Sequence, residues 1–146
     1  MFVASIIAVI IIDQLTKHYI QLSMLPGMSF PVVPDIFSIT YVQNAGAAFG
    51  ILEHQRPLFI AITLVILFVC VYFYKKIQKL PRQLRFSIAL LLGGAIGNLI
   101  DRIRLGIVVD FFDFHVWPVF NIADMAIVCG VILIIYYIFT EGLPED

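Results

Sequence analysis

The chain reads as a membrane all-α protein: four transmembrane helices with a small extracytoplasmic β-sheet lying on the membrane surface. Three observations predict this. Of 146 residues, 62% are hydrophobic and 13% charged, and the mean hydropathy is +1.03, whereas a soluble domain is roughly 45–50% apolar and about 25% charged. Charge-poor runs recur along the chain, with space for about four helices of roughly 20 residues. Within the one long polar-tolerant segment, Phe37-Ser38-Ile39-Thr40-Tyr41-Val42 alternates with period two, as a half-buried strand does. The whole of 1–146 is expected to form a single integral membrane domain. Its spans fall at about 2–21, 57–74, 86–101 and 120–140, its outer loops at 22–56 and 102–119, and its cytoplasmic loop at 75–85.

The first span is apolar until Asp13. It has no basic n-region, and Phe2–Ile12 leads into Asp13-Gln14-Leu15-Thr16-Lys17 rather than a small-residue cleavage site, so it reads as a retained helix and not a signal peptide. Asp13 and Lys17 stand four apart, hence on one helical face, where pairing makes both charges tolerable near the membrane edge. In the following loop Pro26-Gly27, Pro31 and Pro34-Asp35 mark turns, and the small residues of Asn44-Ala45-Gly46-Ala47-Ala48-Phe49-Gly50 permit tight turns and close backbone approach. A small antiparallel sheet that ends in an interfacial stretch to Arg56 fits this segment. Loops of such length are usually functional.

Pro57–Tyr74 is the clearest span, eighteen residues without a charge. After it, Lys75, Lys76, Lys79, Arg82 and Arg85 place five of the nine basic residues within eleven positions, so the positive-inside rule makes this loop cytoplasmic. Both termini are then cytoplasmic as well. Phe86–Ile100 has fifteen residues without a charge, about 22 Å of helix against a roughly 30 Å hydrocarbon core. The third span is therefore expected to be short, with Arg85 snorkelling at its inner end and Asn98, Asp101 and Arg102 filling its outer end. The fourth span repeats the deficit with Asn121 and Asp124. Gly93-Gly94 and Gly97 would let neighbouring helices pack closely.

The candidate chemistry lies at this outer end. Asn98, Asp101 and Arg102 share one helical face, Asn121 and Asp124 open the fourth helix, and Asp110 lies between, in a loop beyond Gly106 able to fold back. Asp113 is a third aspartate in the same region. Asp110 and Asp124 stand among apolar residues, and Met125–Thr140 after them carries no charge. Carboxylates in such surroundings normally face a protein interior or a watery cavity. Two brought together there can share one proton, so that one activates water while the other protonates a leaving group. Peptide hydrolysis of the aspartic type is the expected chemistry. The sequence has no HExxH and no Gly-x-Ser-x-Gly elbow, its three histidines lack metal-ligand spacing, and no serine neighbours a histidine in sequence. Cys70 and Cys129 sit in apolar runs and read as small hydrophobes. A net charge of −1 and the lack of a basic patch argue against nucleic acid as a partner.

Five stretches in order resemble the lipoprotein signal peptidase (signal peptidase II) family almost end to end. They are Asp13-Gln14-Leu15-Thr16-Lys17; Asn44 to Gly50; Gly93-Gly94-Ala95-Ile96-Gly97-Asn98-Leu99-Ile100-Asp101-Arg102; Val108-Val109-Asp110-Phe111; and Phe120-Asn121-Ile122-Ala123-Asp124. The resemblance implies that Asp110 and Asp124 are the catalytic pair. It implies that Asn44, Gly46, Asn98, Asp101, Arg102, Asn121 and Ala123 line or brace the site, with Asp13 and Lys17 supporting, and it leaves Asp113 outside the motifs. The implied substrate is a prolipoprotein whose cysteine already bears diacylglycerol, cut just before that cysteine at the outer leaflet of the bacterial inner membrane. Globomycin-type cyclic peptides are the implied inhibitors, membrane lipid the surroundings, and a monomer without metal or cofactor the implied state. The rival expectations are a small proton- or ion-coupled carrier, since intramembrane carboxylates also mark ion pathways, and a non-catalytic membrane scaffold.

Overall fold

The computed structural model describes residues 1–46 and 55–142. In chain order these form α1 (Phe2–Ser23), β1 (Ser29–Val33), β2 (Phe37–Asn44), α2 (Arg56–Tyr72), α3 (Tyr74–Ile77), α4 (Arg82–Arg104), β3 (Val108–Asp113) and α5 (Ile122–Glu141). Three of the helices, α1, α4 and α5, are long and apolar enough to cross a membrane, and α2 is an apolar helix of 17 residues. The stretch expected to run from the end of Asn44-…-Gly50 to Arg56 falls mostly on residues 47–54, outside the described residues.

α4 is the central helix, packing against α1, α2 and α5. Its buried residues include Leu84, Ala89, Leu92, Ala95 and Leu99, while α2 buries none of its residues. Large apolar side chains such as Val65, Phe68 and Tyr72 on α2, and Ile132 and Phe139 on α5, point outward. Exposure of that kind on several helices suits hydrocarbon surroundings rather than water. Between helices the fit depends on small residues. A Cβ added to Gly97 would fall 2.6 Å from Asp13 Oδ2, and one added to Gly94 would collide with the backbone of Ala123. Neither position has space for a side chain, so α4 lies close to both α1 and α5.

The expected third span lies within a longer helix. α4 runs 23 residues, from Arg82 to Arg104, because helical hydrogen bonding continues through the charged residues at both ends. Asp101, which ends the apolar run, stays inside the bundle because a lysine from α1 pairs with it. Phe73 breaks the second helix before α3, and α5 begins at Ile122 with Asn121 as its cap, one to two residues inside the expected limits.

The sheet is three-stranded and antiparallel, in the order β1-β2-β3. β1 pairs with β2 across the turn containing Asp35, which adopts φ 61°. β2 pairs with β3 through Val42 and Asp110. The stretch expected to be a loop around Asp110 is therefore a strand, a correction to the expectation. Val109 and Phe111 pack with Ile20 of α1 and Tyr41 of β2 in a small core beneath the sheet. Period-two alternation turns Val108 and Asp110 the other way, towards the cavity beside α4 and α5. Phe120 bridges back to Phe112, closing the connection between β3 and α5.

Candidate active site

The site is built outward from one buried lysine. Lys17, on the inward face of α1, is 2% exposed. Its ammonium lies 3.0 Å from Asp13 Oδ2 and 3.0 Å from Asp101 Oδ2, and donates to Asn98 Oδ1 at 2.9 Å. An ammonium has three protons and no acceptor, so all three are engaged. The expected Asp13–Lys17 pair is present, and Asp101 joins it. The remaining oxygens are satisfied in turn. Asp13 Oδ1 accepts the backbone N–H of Ala123 at 2.9 Å, Asp101 Oδ1 accepts from Gln14 at 3.0 Å, and Asp101 Oδ2, besides facing Lys17, accepts the N–H of Val109 at 3.1 Å. Gln14 adds bonds to Asp13, Asp101 and the Gly97 carbonyl. One ionic cluster thus ties α1 and α4 to the first turn of α5 and to β3. Buried charges are tolerated when each is paired and hydrogen-bonded, as here.

Lys17 also fixes the amides around the aspartates. Because it can only donate, the oxygen of Asn98 must face it, and the Asn98 NH₂ then faces Asp124, donating to Oδ1 at 2.7 Å. Asn121 is the N-cap of α5 and shares a capping box with Asp124. Asn121 Oδ1 accepts from the Asp124 N–H at 2.9 Å, and the Asn121 N–H donates to Asp124 Oδ2 at 3.2 Å. That leaves the Asn121 NH₂ to donate to Asp110 Oδ1 at 2.6 Å, with longer contacts to Asn98 Oδ1 and the Val109 carbonyl. Asn44, at the end of β2, donates to the other oxygen of Asp110 at 2.8 Å. Asp110 and Asp124 therefore each accept two hydrogen bonds, and Asn121 bonds to both.

Both aspartates border a cavity of about 360 Å³. Its polar wall includes Asn44, Asn98 and Arg102, and its apolar wall includes Ala95, Ile127, Val128 and Trp117. The Arg102 guanidinium lies 4.7 Å above the Phe59 ring and donates to the Gly46 carbonyl at 3.3 Å. Burial, and after it the charge of Asp124, raises the Asp110 carboxyl from its ordinary value to about 7, against the lowering effect of the Asn44 and Asn121 bonds. Asp110 thus changes protonation near neutral pH. This set of groups can hold a water between an acid and a base at the edge of an apolar slot.

Of the expected site residues, Asp110, Asp124, Asn44, Gly46, Asn98 and Arg102 line the cavity. Asn121 holds both aspartates, and Asp13, Lys17, Asp101 and Ala123 form the brace behind them. Asp113 is not with them. Its carboxylate accepts from the Thr40 hydroxyl and the His115 N–H at 2.8 Å each. Besides the apolar lining, two polar contributors escaped the sequence reading. Gln14 lies within the Asp13–Lys17 motif, and its position one residue after a buried aspartate was the available signal. Thr63 of α2 lines the cavity with no motif to mark it. The structure also brings together a serine, a histidine and an aspartate that sequence order had kept apart. Ser38 Oγ is 3.2 Å from His115 Nε2, and His115 Nδ1 is 3.3 Å from Asp113 Oδ1. The contact order is that of a catalytic triad, but Ser38 is 4% exposed, so its hydroxyl has no access for a substrate.

Two carboxylates beside an apolar cavity in a helical membrane protein suit a hydrolase that acts at a bilayer, and the comparisons with known proteins decide against an ion carrier. Residues 5–140 match the family described as Signal peptidase (SPase) II. The lipoprotein signal peptidase of Pelotomaculum thermopropionicum is 46% identical over 97% of this chain and 94% of its own length. That of Halothermothrix orenii is 47% identical over 97% of each. Among solved structures, one described as a bacterial membrane enzyme superposes with a TM-score of 0.90 at 40% identity, covering 99% of this chain and 92% of the other. A second, described likewise, gives 0.81 at 39% identity, covering 96% and 93%. The chain belongs to the signal peptidase II family, and is therefore a protease rather than a carrier or scaffold.

Proposed function

We propose that the chain removes the signal peptide from diacylglyceryl-modified prolipoproteins, cutting just before the lipid-bearing cysteine, with Asp110 and Asp124 as its catalytic residues. The observation that carries this reading is the placement of Asn121, whose amide bonds Asp110 while its backbone N–H bonds Asp124. A single residue thus sets the two carboxyl groups relative to each other. In the reactive form Asp110 holds the proton and Asp124 is the base. Asp124 takes a proton from water as the water oxygen bonds to the scissile carbonyl carbon. The C–N bond then breaks, and the proton of Asp110 passes to the departing amine. Arg102 and Asn44 lie where they can orient the peptide backbone. The apolar wall of the cavity suits the lipid-bearing side of the cut.

On this reading α1, α2, α4 and α5 all span the bacterial inner membrane, both termini are cytoplasmic, and the site faces the outer leaflet. The basic stretch Lys75–Arg85 supports the orientation. The sheet lies on the membrane surface, supported by the outward apolar side chains of Phe30, Ile36 and Val116. The enzyme acts as a monomer, and a globomycin-type cyclic peptide competes for the cavity. The deciding experiment replaces Asp110 and Asp124 singly with Asn and follows a lipidated precursor by gel shift. Both variants should stay folded and lose cleavage; a variant of either that still cleaves at the normal rate removes that aspartate from the mechanism.

A further inference from the structure

A second cavity of about 360 Å³ lies on the other side of α4, between α4 and α1. Its inner wall is the Gln14–Lys17–Asp101 cluster, whose polar groups are already bonded to one another. The rest of its lining is arranged by depth. Ile10, Ile11 and Leu15 form an apolar floor, while His18, Gln21 and Arg104 stand at the outer helix ends. Among the described residues, the side chains of His18, Gln21 and Arg104 have no hydrogen-bond or ion-pair partner. Asp101, the acid that lines this cavity, is held by Lys17. From Ile10 to Gln21 the groove runs about 16 Å along α1, at about 1.5 Å per residue, close to half of a roughly 30 Å hydrocarbon core. An apolar trough one leaflet deep, closed at its wet end by an unpaired guanidinium and imidazole, has the polarity and length of one anionic phospholipid.

We infer that the α1–α4 groove binds an anionic phospholipid, with its phosphodiester on Arg104 and His18 and an acyl chain along Ile10, Ile11 and Leu15. An arginine fork matches two phosphate oxygens, and a lipid phosphate is the anion present at that depth. The groove is separated from the cavity of the two aspartates by α4, and the lipid in it is not a substrate. It lies against the ionic cluster that orients Asn98 and Ala123, and so seals that cluster from water. Assignment to the outer leaflet rests on the orientation proposed above; binding itself does not.

The test is native mass spectrometry of the purified full chain in detergent with equal amounts of phosphatidylglycerol and phosphatidylcholine. Phosphatidylglycerol should be retained roughly tenfold better, because the choline ammonium of phosphatidylcholine offsets the charge of the shared phosphodiester and sets a second cation beside Arg104. Arg104→Gln should bring the two lipids to parity, Leu15→Trp should displace both, and Arg82→Gln, at the opposite end of α4, should change neither. Glycerol 3-phosphate should not displace the lipid, since it lacks the acyl chain. Asp110→Asn enzyme should retain lipid normally, and Arg104→Gln enzyme should still cleave precursor in detergent. Failure of the peptidase reading would thus leave the lipid result standing. Equal retention of the two lipids by the unaltered protein, unchanged selectivity in Arg104→Gln, or displacement by glycerol 3-phosphate would each overturn the proposal.

Discussion

Asn98 touches Lys17, Asn121 and Asp124, and its amide cannot be turned over without placing an NH₂ group against an ammonium. Replacing it with Ala should leave Lys17 and Asp124 each short of a partner. A lost bond to a charged group costs about 1.5–3 kcal/mol; if felt in the transition state, that is a drop of roughly 10- to 100-fold in kcat/KM, measured on lipidated precursor. Asp113→Asn, by contrast, should retain activity within about twofold, as expected of a surface change away from the site, because its bonds to Thr40 and His115 lie outside the cavity. Asp110 carries a pH signature. Its carboxyl binds a proton up to about 7 in the folded protein, against an ordinary value of 3.8. The native state therefore holds the extra proton, and stability is greatest below the ordinary value and declines as pH rises through about 7. Cleavage should decline over the same upper range as the acid loses its proton, and activity that stays constant from pH 6 to 9 would exclude Asp110 as that acid. Asp110→Asn should remove the stability decline, melting higher than the parent above pH 7 with the difference fading towards pH 4. At this scale the sequence was largely legible, since the resemblance to the family's motifs pointed to every residue of the brace except Gln14. What spacing could not supply was the sharing of Lys17. Asp13 reads in isolation as its one partner, yet Asp101 lies at the same 3.0 Å. Asp13→Asn therefore leaves Lys17 paired, and its main cost should fall on the Ala123 N–H and the seating of α5.

Elements follow the same logic with different misses. The apolar helices were visible because residues facing hydrocarbon or core leave long charge-free runs, and β2 was visible because it alternates. β3 was hidden for a physical reason: Val108, Val109, Asp110 and Phe111 are all buried, so no polar alternation shows along the strand. Its β-branched and aromatic content after Gly106 was the remaining clue. α4 extends past its charge-free run at both ends, because a charge such as Asp101 that is paired inside the bundle does not stop the helix. The tightest element contact gives a direct test. Gly97→Ala puts a methyl against the Asp13 carboxylate, and the neighbour is a charged group fixed by Lys17 and Gln14 rather than a free chain end. The expected cost is about 1–3 kcal/mol from overpacking, seen as a lower melting temperature in detergent, and cleavage should fall with it. If Gly97→Ala melts and cleaves like the parent, α1 and α4 are not pressed together at this point.

For the whole molecule, orientation is the property that links fold to substrate. Cysteines placed singly at Ser29, Val116 and Lys79, in a protein lacking Cys70 and Cys129, report it through an impermeant thiol reagent. All three positions are exposed. Intact cells should label Ser29 and Val116 and leave Lys79 untouched; the reverse pattern would turn the site to the cytoplasmic side. The expected orientation rests on basic residues alone, while the meeting of distant segments left no signal in the sequence. The ionic cluster joins the first helix to the last, since Asp13 holds the N–H of Ala123 across 110 positions. That single contact bears on the order of synthesis. Lys17 and Asp13 leave the ribosome early, whereas Asp110 and Asp124 follow only after most of the chain has been made. A growing chain therefore contains the clamp before it contains the reactive groups, and the two carboxyls become a pair only when α5 docks. On the proposed reading, a chain that still lacks α5 carries no complete catalytic pair.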